Sequence, residues 1–283
     1  MEKTWTVLEL VQWTTGFLKQ KGIENGRREA EDLLGQVLEL DRLKLYLAFE
    51  DQPGPLALAR FRELVARRAK REPLQYLLGW QPFLGMKIKC AAGVLIPRPE
   101  TERLAQLALE RLAPLGEAAR FADIGTGTGC IALALAQGSA ASGMATDLSE
   151  AALSLAAENA RALGLAERIE FLLGNLCGPL EGAFDLIVSN PPYIAESDKA
   201  SLQPEVRDFE PGEALFSGPD GLRELKQLLN DAPRHLKPGG WLMLECGKGQ
   251  PELLKSGLNA GFSEARIEAD PYGVERFLIL KKS

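Results

Sequence analysis

The sequence predicts an α/β protein, a doubly wound and mostly parallel sheet preceded by a small all-helical domain. Three observations carry that expectation. Strands and helices alternate from Arg120 onward, the order expected of a parallel sheet with helices on both faces. A glycine-rich stretch, Gly125 to Gly129, stands where the first strand of that series gives way to its first helix. From Trp5 to Tyr76, apolar residues recur at helical rather than strand spacing.

In the N-terminal region Val7, Leu8, Leu10, Val11, Phe17 and Leu18 form one helical stripe, and Ala30, Leu33, Leu34, Val37 and Leu38 form another. Gly22, Pro53-Gly54-Pro55 and Pro73 punctuate the run, so four or five short helices are expected. The last long one, Leu56 to Arg71, carries Arg60, Arg62, Arg67, Arg68, Lys70 and Arg71. Such a run is either a solvated helix face or a docking surface for a large acidic partner. Phe83 to Lys89 and Val94-Leu95-Ile96, with Gly93 between them, read as a β-hairpin joining two domains. The expected division is residues 1–78 for the helical substrate-recognition domain, 79–98 for the hairpin linker and 99–283 for the α/β domain.

A helix is expected from about Thr101 to Leu112. The strands that follow are Phe121–Ile124, Gly143–Asp147, Ile169–Leu173, Phe184–Ser189 and Trp241–Glu245. Helices at Cys130–Gln137, Glu150–Leu163 and Leu222–Leu236 alternate with them. Apolar stretches near Ala265–Ile267 and Phe277–Leu280 complete the series.

Composition narrows the function. The chain has 283 residues, 25% of them charged, with a formal net charge of -6 and a pI near 5.2. An acidic balance argues against binding nucleic acid through a broad basic surface, because phosphate neutralisation dominates such binding. The start of the chain shows no secretory pattern, and no apolar run reaches the roughly 20 residues of a membrane span, so a cytoplasmic location is expected. Cys90, Cys130, Cys177 and Cys246 lie far apart and read as small buried hydrophobes. With His235 the sole histidine, no metal site is expected.

Asp123-Ile124-Gly125-Thr126-Gly127-Thr128-Gly129 lies at the carboxyl end of its strand, where open α/β sheets bind ligands. Glycine permits a sharp turn and a close ligand approach. The dinucleotide fingerprint places a third small residue where Cys130 stands, and a pyrophosphate would be repelled by Asp123. An ammonium group, as in a methionine moiety, would be attracted there, directly or through water. Asp147, ending the second strand, is placed to accept from both hydroxyls of a ribose, and Asn175 could accept from an adenine amino group.

Asn190-Pro191-Pro192-Tyr193 follows the apolar strand Leu186-Ile187-Val188 and faces the same crevice. A planar amide or exocyclic amine has a delocalised lone pair and is a poor nucleophile. Its N–H bonds need acceptors that tolerate growing positive charge while the lone pair is aimed. The Asn190 side-chain oxygen and the Pro191 carbonyl can be those acceptors. Two consecutive prolines, Pro191 and Pro192, fix φ and remove backbone donors, and Tyr193 offers a flat face for stacking.

With these residues in place the sequence resembles the release-factor glutamine methyltransferases (PrmC/HemK). The resemblance also rests on Pro73-Leu74-Gln75-Tyr76 with Gly79, on Leu95-Ile96-Pro97-Arg98-Pro99-Glu100-Thr101-Glu102, and on Gly218-Pro219-Asp220-Gly221-Leu222. It implies a class I methyltransferase (Rossmann-like) fold whose seven-stranded sheet ends in an antiparallel strand. It implies S-adenosyl-L-methionine as methyl donor, S-adenosyl-L-homocysteine as product, and the Gly-Gly-Gln glutamine of peptide-chain release factors as acceptor. The chain departs from the family at Asn175-Leu176, where members often carry Asp and an aromatic residue, and in the spacers of Asp270 to Arg276. The reaction expected is a direct in-line displacement. The rival readings are an amino-group methyltransferase of DNA or RNA bases, a non-catalytic cofactor-binding protein and, more distantly, a nicotinamide dehydrogenase.

Overall fold

The computed structural model describes residues 4–258 and 261–283, and these divide into two compact units. The first comprises the chain up to Gly79 together with Pro204–Phe209. Its helices are α1 (Val7–Gln20), α2 (Gly26–Leu38), α3 (Arg42–Leu47), α4 (Pro55–Arg68) and α5 (Leu74–Leu78). Thr6 starts α1 with a reciprocal cap: its hydroxyl accepts from the Glu9 N–H, and the Glu9 carboxylate accepts from the Thr6 N–H. Val7, Leu10 and Val11 of α1 then meet Ala30, Leu33 and Leu34 of α2 and Phe61 and Val65 of α4 in one apolar core.

The basic run on α4 divides between solvent and interior. Arg60, Arg62 and Lys70 are exposed. Arg68 is buried, donating to Glu29 at 2.6 Å and to Glu205 at 2.9 Å, and Arg71 donates to the other Glu205 oxygen at 2.8 Å. Part of the run is therefore internal structure, and only its exposed members form a solvated face.

The second unit opens with strands β1 (Trp80–Phe83) and β2 (Met86–Lys89), which pair antiparallel. The hairpin is shorter than the sequence suggested. Leu84 and Gly85 take φ of 45° and 79°, the two positive values of a tight turn that matches strand twist, so the chain reverses there. Val94–Ile96 is not a strand and lines a cleft instead. Helix α6 (Pro99–Leu112) starts two residues earlier than expected, with proline in its first turn.

The main sheet is built from β3 (Arg120–Ile124), β4 (Ser142–Asp147), β5 (Ile169–Leu173), β6 (Phe184–Ser189), β7 (Leu236–Glu245), β8 (Phe262–Ala269) and β9 (Glu275–Lys282). Between them run α7 (Cys130–Gly138), α8 (Glu150–Ala162), α9 (Pro204–Phe209, in the first unit), α10 (Arg223–Asp231) and α11 (Gln250–Ser256). The order across the sheet is β5-β4-β3-β6-β7-β9-β8, parallel through β7, with β9 antiparallel to both neighbours. Alternating strand residues feed opposite cores. Phe121, Val188, Met243 and Ile279 face α6 and α7, while Ala122, Ile187, Leu242 and Leu278 face α10 and α11. All four cysteines are buried thiols. No helix is long and apolar enough to cross a membrane, among the described residues.

Candidate active site

Two adjacent strands deliver the two halves of the site. Ile124 of β3 lies beside Ser189 of β6, so Gly125–Gly129 and Asn190–Tyr193 leave the sheet at the same edge. The Ser189 hydroxyl donates to the Ile124 carbonyl at 2.7 Å and holds the two exits together. Strand order reverses here, which is where open α/β sheets form their ligand crevice. A cleft opens at this point, lined by Gly125, Thr126, Gly127, Thr128, Asp147, Asn175, Leu176, Asn190 and Pro192 of the expected residues.

The glycine loop is fixed by backbone bonds. The N–H groups of Gly125 and Thr126 donate to the Thr146 carbonyl at 2.8 and 3.0 Å. Gly127 donates to Asp147 Oδ2 at 2.8 Å. Gly125 and Gly127 have φ of 69° and 56°, and a Cβ on either would meet nothing within 4 Å. They need glycine for their conformation, and the free space is room for a ligand to approach the main chain. Asp147 Oδ1 accepts from the Ser149 N–H at 2.9 Å. Each of its oxygens retains a lone pair, so the carboxylate offers two acceptors to vicinal hydroxyls in the cleft.

Asp123 is placed differently from the expectation. It lies behind the loop, wholly buried, where Oδ2 accepts from the Thr126 hydroxyl at 2.7 Å and the Ala132 N–H at 3.1 Å. Burial pushes its carboxyl up to about 7. Its other oxygen is buried without a hydrogen-bond partner, an unfavourable state that a cationic group bound nearby would relieve. Gly129 also lies off the cleft surface, packed against Ala156. Asn175 is exposed on the cleft wall, whereas Leu176 is buried with φ of 47°, its carbonyl accepting from the Thr146 hydroxyl at 2.9 Å.

At the Asn-Pro-Pro-Tyr corner, Asn190 and Pro192 reach the cleft, while Pro191 and Tyr193 are not part of its lining. The expected stacking platform is turned inward. The Tyr193 hydroxyl donates to Glu245 Oε1 at 3.3 Å and its ring packs against the core below α10. Burial and the adjacent Glu245 carboxylate raise the phenol's pKa, so it remains a donor. The Tyr193 carbonyl accepts from Gln250 Nε2 at 2.9 Å, which fixes the far side of the corner.

Several site residues escaped the sequence reading. Thr101, in the first turn of α6, accepts from Asn190 Nδ2 at 3.1 Å and donates to Glu245 Oε2 at 2.8 Å. Glu245 ends β7, only 1% exposed, and burial raises its carboxyl to about 7 against the hydrogen bond of Thr101 and the charge of Arg276. Arg276 is itself held by Asp270 at 2.7 Å, so the closing Asp270–Arg276 segment serves this corner. Glu210 accepts from Arg98 at 2.6 Å and from the Ile96 N–H at 3.2 Å, which fixes the cleft wall made by Ile96, Pro97 and Arg98. In the sequence, Pro97 to Glu102 stands out only through a family resemblance; a lone Thr and a strand-end Glu emit no local signal.

A release factor glutamine methyltransferase from Geobacter sulfurreducens is 47% identical over 275 residues, covering 96% of this chain and 95% of its own. This chain belongs to the release factor glutamine methyltransferase family. A second family member, from Rhodopirellula baltica, is 38% identical over 99% of this chain and 97% of its own. The sequence family described as PrmC N-terminal domain matches residues 9–79, and the methyltransferase small domain matches residues 89–205. A methyltransferase structure from Pyrococcus furiosus, 22% identical, covers 77% of this chain and 98% of its own with a TM-score of 0.54, a likeness of fold. As a family member, the chain is a protein-(glutamine-N5) methyltransferase with a Rossmann-like, seven-stranded catalytic domain.

Proposed function

We propose that this enzyme methylates the side-chain amide nitrogen of the glutamine in the Gly-Gly-Gln motif of peptide-chain release factors, with S-adenosyl-L-methionine as donor. The observation that carries the reading is the Asn190 carboxamide. One N–H of its NH2 goes to Thr101, which turns its oxygen, as an acceptor, toward the cleft shared with the glycine loop. Such an oxygen suits an amide N–H that gains positive charge as it reacts.

The donor fits the residues present. The open backbone at Gly125 and Gly127 accommodates its methionine portion and Asp147 its ribose hydroxyls, while the unpartnered Asp123 oxygen, buried behind the loop, acts on the ammonium by charge rather than by contact. Asn175 and Leu176 border the adenine side. When bound it supplies a methyl carbon on a positively charged sulfur, so no covalent enzyme intermediate is required. The chain's contribution is alignment. Asn190 Oδ1 accepts one N–H of the glutamine amide and turns its lone pair toward the methyl carbon. The amide nitrogen forms the new N–C bond, the C–S bond breaks with its electrons going to sulfur, and the surplus amide proton leaves to water.

The same reading takes release factors as the protein partners and sets the enzyme in the cytoplasm. Transfer of labelled methyl to a release factor tests the reading, with the same factor carrying alanine at the Gly-Gly-Gln glutamine as control. Label on the first and none on the second is expected. Label that passes instead to DNA or RNA supports the base-methylating alternative and overturns the proposal.

A further inference from the structure

One buried carboxylate holds both ends of the Asn-Pro-Pro-Tyr corner. Glu245 Oε2 accepts from the Thr101 hydroxyl at 2.8 Å, and Oε1 accepts from the Tyr193 hydroxyl at 3.3 Å. Thr101 in turn accepts from Asn190 Nδ2 at 3.1 Å. We propose that Glu245, acting through the Thr101 hydroxyl, is a positioning residue that locks the Asn190 carboxamide with its oxygen toward the cleft. The proposal rests on the amide-methylating role given to Asn190 above.

Donor counting fixes the orientation of the amide. A hydroxyl has a single proton, and an ionised carboxylate can only accept. Once Thr101 gives its proton to Glu245, it has only lone pairs left for Asn190. Only the NH2 side of the Asn190 amide can then face Thr101, so the flipped amide is excluded by chemistry rather than by shape. A flipped amide would present NH2 to the cleft, and NH2 cannot accept from a substrate amide. Valine or alanine in place of Thr101 would leave both amide orientations open.

Protonation of Glu245 removes the constraint. A neutral carboxyl can donate to Thr101, whose proton then becomes free to reach Asn190 Oδ1, and the amide can turn over. The groups facing Glu245 set where this happens. Thr101 and Glu100 face it from α6, Arg276 from β9 and Tyr193 from the corner, with Cys246 adjacent in the chain. Arg276 and the two hydroxyls favour the ionised form, while burial and Glu100 oppose it, and the balance brings titration to about 7.

The test compares wild type with Thr101→Val, Thr101→Ser and Glu245→Gln. For each, kcat and the KM of S-adenosyl-L-methionine are measured on a release factor between about pH 6 and pH 9. Thr101→Val should lower kcat about tenfold, the worth of one oriented hydrogen bond in a buried network, with KM for the donor unchanged. Thr101→Ser should recover most of the loss. In wild type kcat should fall as pH drops through about 7. Glu245→Gln cannot be protonated in this range, and its carbonyl can still accept from Thr101 while its NH2 faces Tyr193, so that acid limb should flatten. Asp123 also titrates near 7, and a limb from it would persist in Glu245→Gln.

Wild-type kcat in Thr101→Val, an equal loss in Thr101→Ser, or an unaltered acid limb in Glu245→Gln would each overturn the proposal. Should Glu245→Gln fail to fold, the two Thr101 variants decide alone. Failure of the wild type to methylate any release factor would sink the functional reading itself, and is read separately from the variants.

Discussion

The glycine loop and the Asn-Pro-Pro-Tyr corner leave the sheet on neighbouring strands, yet they are held in different ways. The loop is secured by its own neighbourhood: main-chain bonds from Gly125 and Thr126 to Thr146, and from Gly127 to Asp147. The corner is secured from far along the chain, by Thr101 at 89 residues from Asn190 and by Glu245 at 52 residues from Tyr193. A binding surface made of backbone needs glycine and little else. An oriented side-chain amide needs a network that assigns every proton.

This contrast predicts that the two halves fail differently. The largest effect is expected at the corner: Asn190→Ala should lower kcat on the order of a hundredfold, as for loss of one preorganised polar group, while donor affinity changes little. Steady-state kinetics beside calorimetric binding would show the split, and near-normal turnover would remove Asn190 from the role given to it. Next comes Asp147→Ala on the loop side, which should weaken donor binding by about tenfold or more through loss of charged hydrogen bonds. At saturating donor its kcat should stay close to wild type. Gly127→Ala should follow, since a Cβ in the left-handed region costs roughly 1–2 kcal/mol, and the donor-induced rise in melting temperature should shrink.

A last effect concerns stability rather than turnover. Asp123 and Glu245 are both raised by burial to about 7, above their ordinary values, so the folded chain holds these protons more tightly than the unfolded one. Their stabilising contribution is complete below the ordinary carboxylate range and is lost as pH rises through about 7. Urea midpoints should therefore decline between about pH 5 and pH 8, and the decline should be shallower in Glu245→Gln. A steeper decline in that variant would mean the carboxyl is not raised.

Sequence alone made the loop half of the site more legible than the corner half, for the same physical reason. Strand periodicity, glycine and the strand-end Asp147 are local signals, so the α/β order and the cleft residues of the glycine loop could be read directly. The five-residue strand Ile169–Leu173 and the six-residue Phe184–Ser189 came out with their observed bounds. Val94–Ile96 misled because a short apolar run looks the same whether it is a strand or a cleft wall. Tyr193 misled because an aromatic next to an active asparagine suggests a stacking surface, whereas a buried carboxylate draws its hydroxyl inward. The roles of Thr101 and Glu245 are not legible in the sequence because each takes its meaning only from the other.

The most direct measurement is a crystal structure with S-adenosyl-L-homocysteine and a Gly-Gly-Gln peptide bound together. Asn190 Oδ1 should lie about 3 Å from the glutamine amide nitrogen, with that nitrogen turned toward the sulfur. An amide bound elsewhere, or an Asn190 oxygen turned back toward Thr101, would contradict the account.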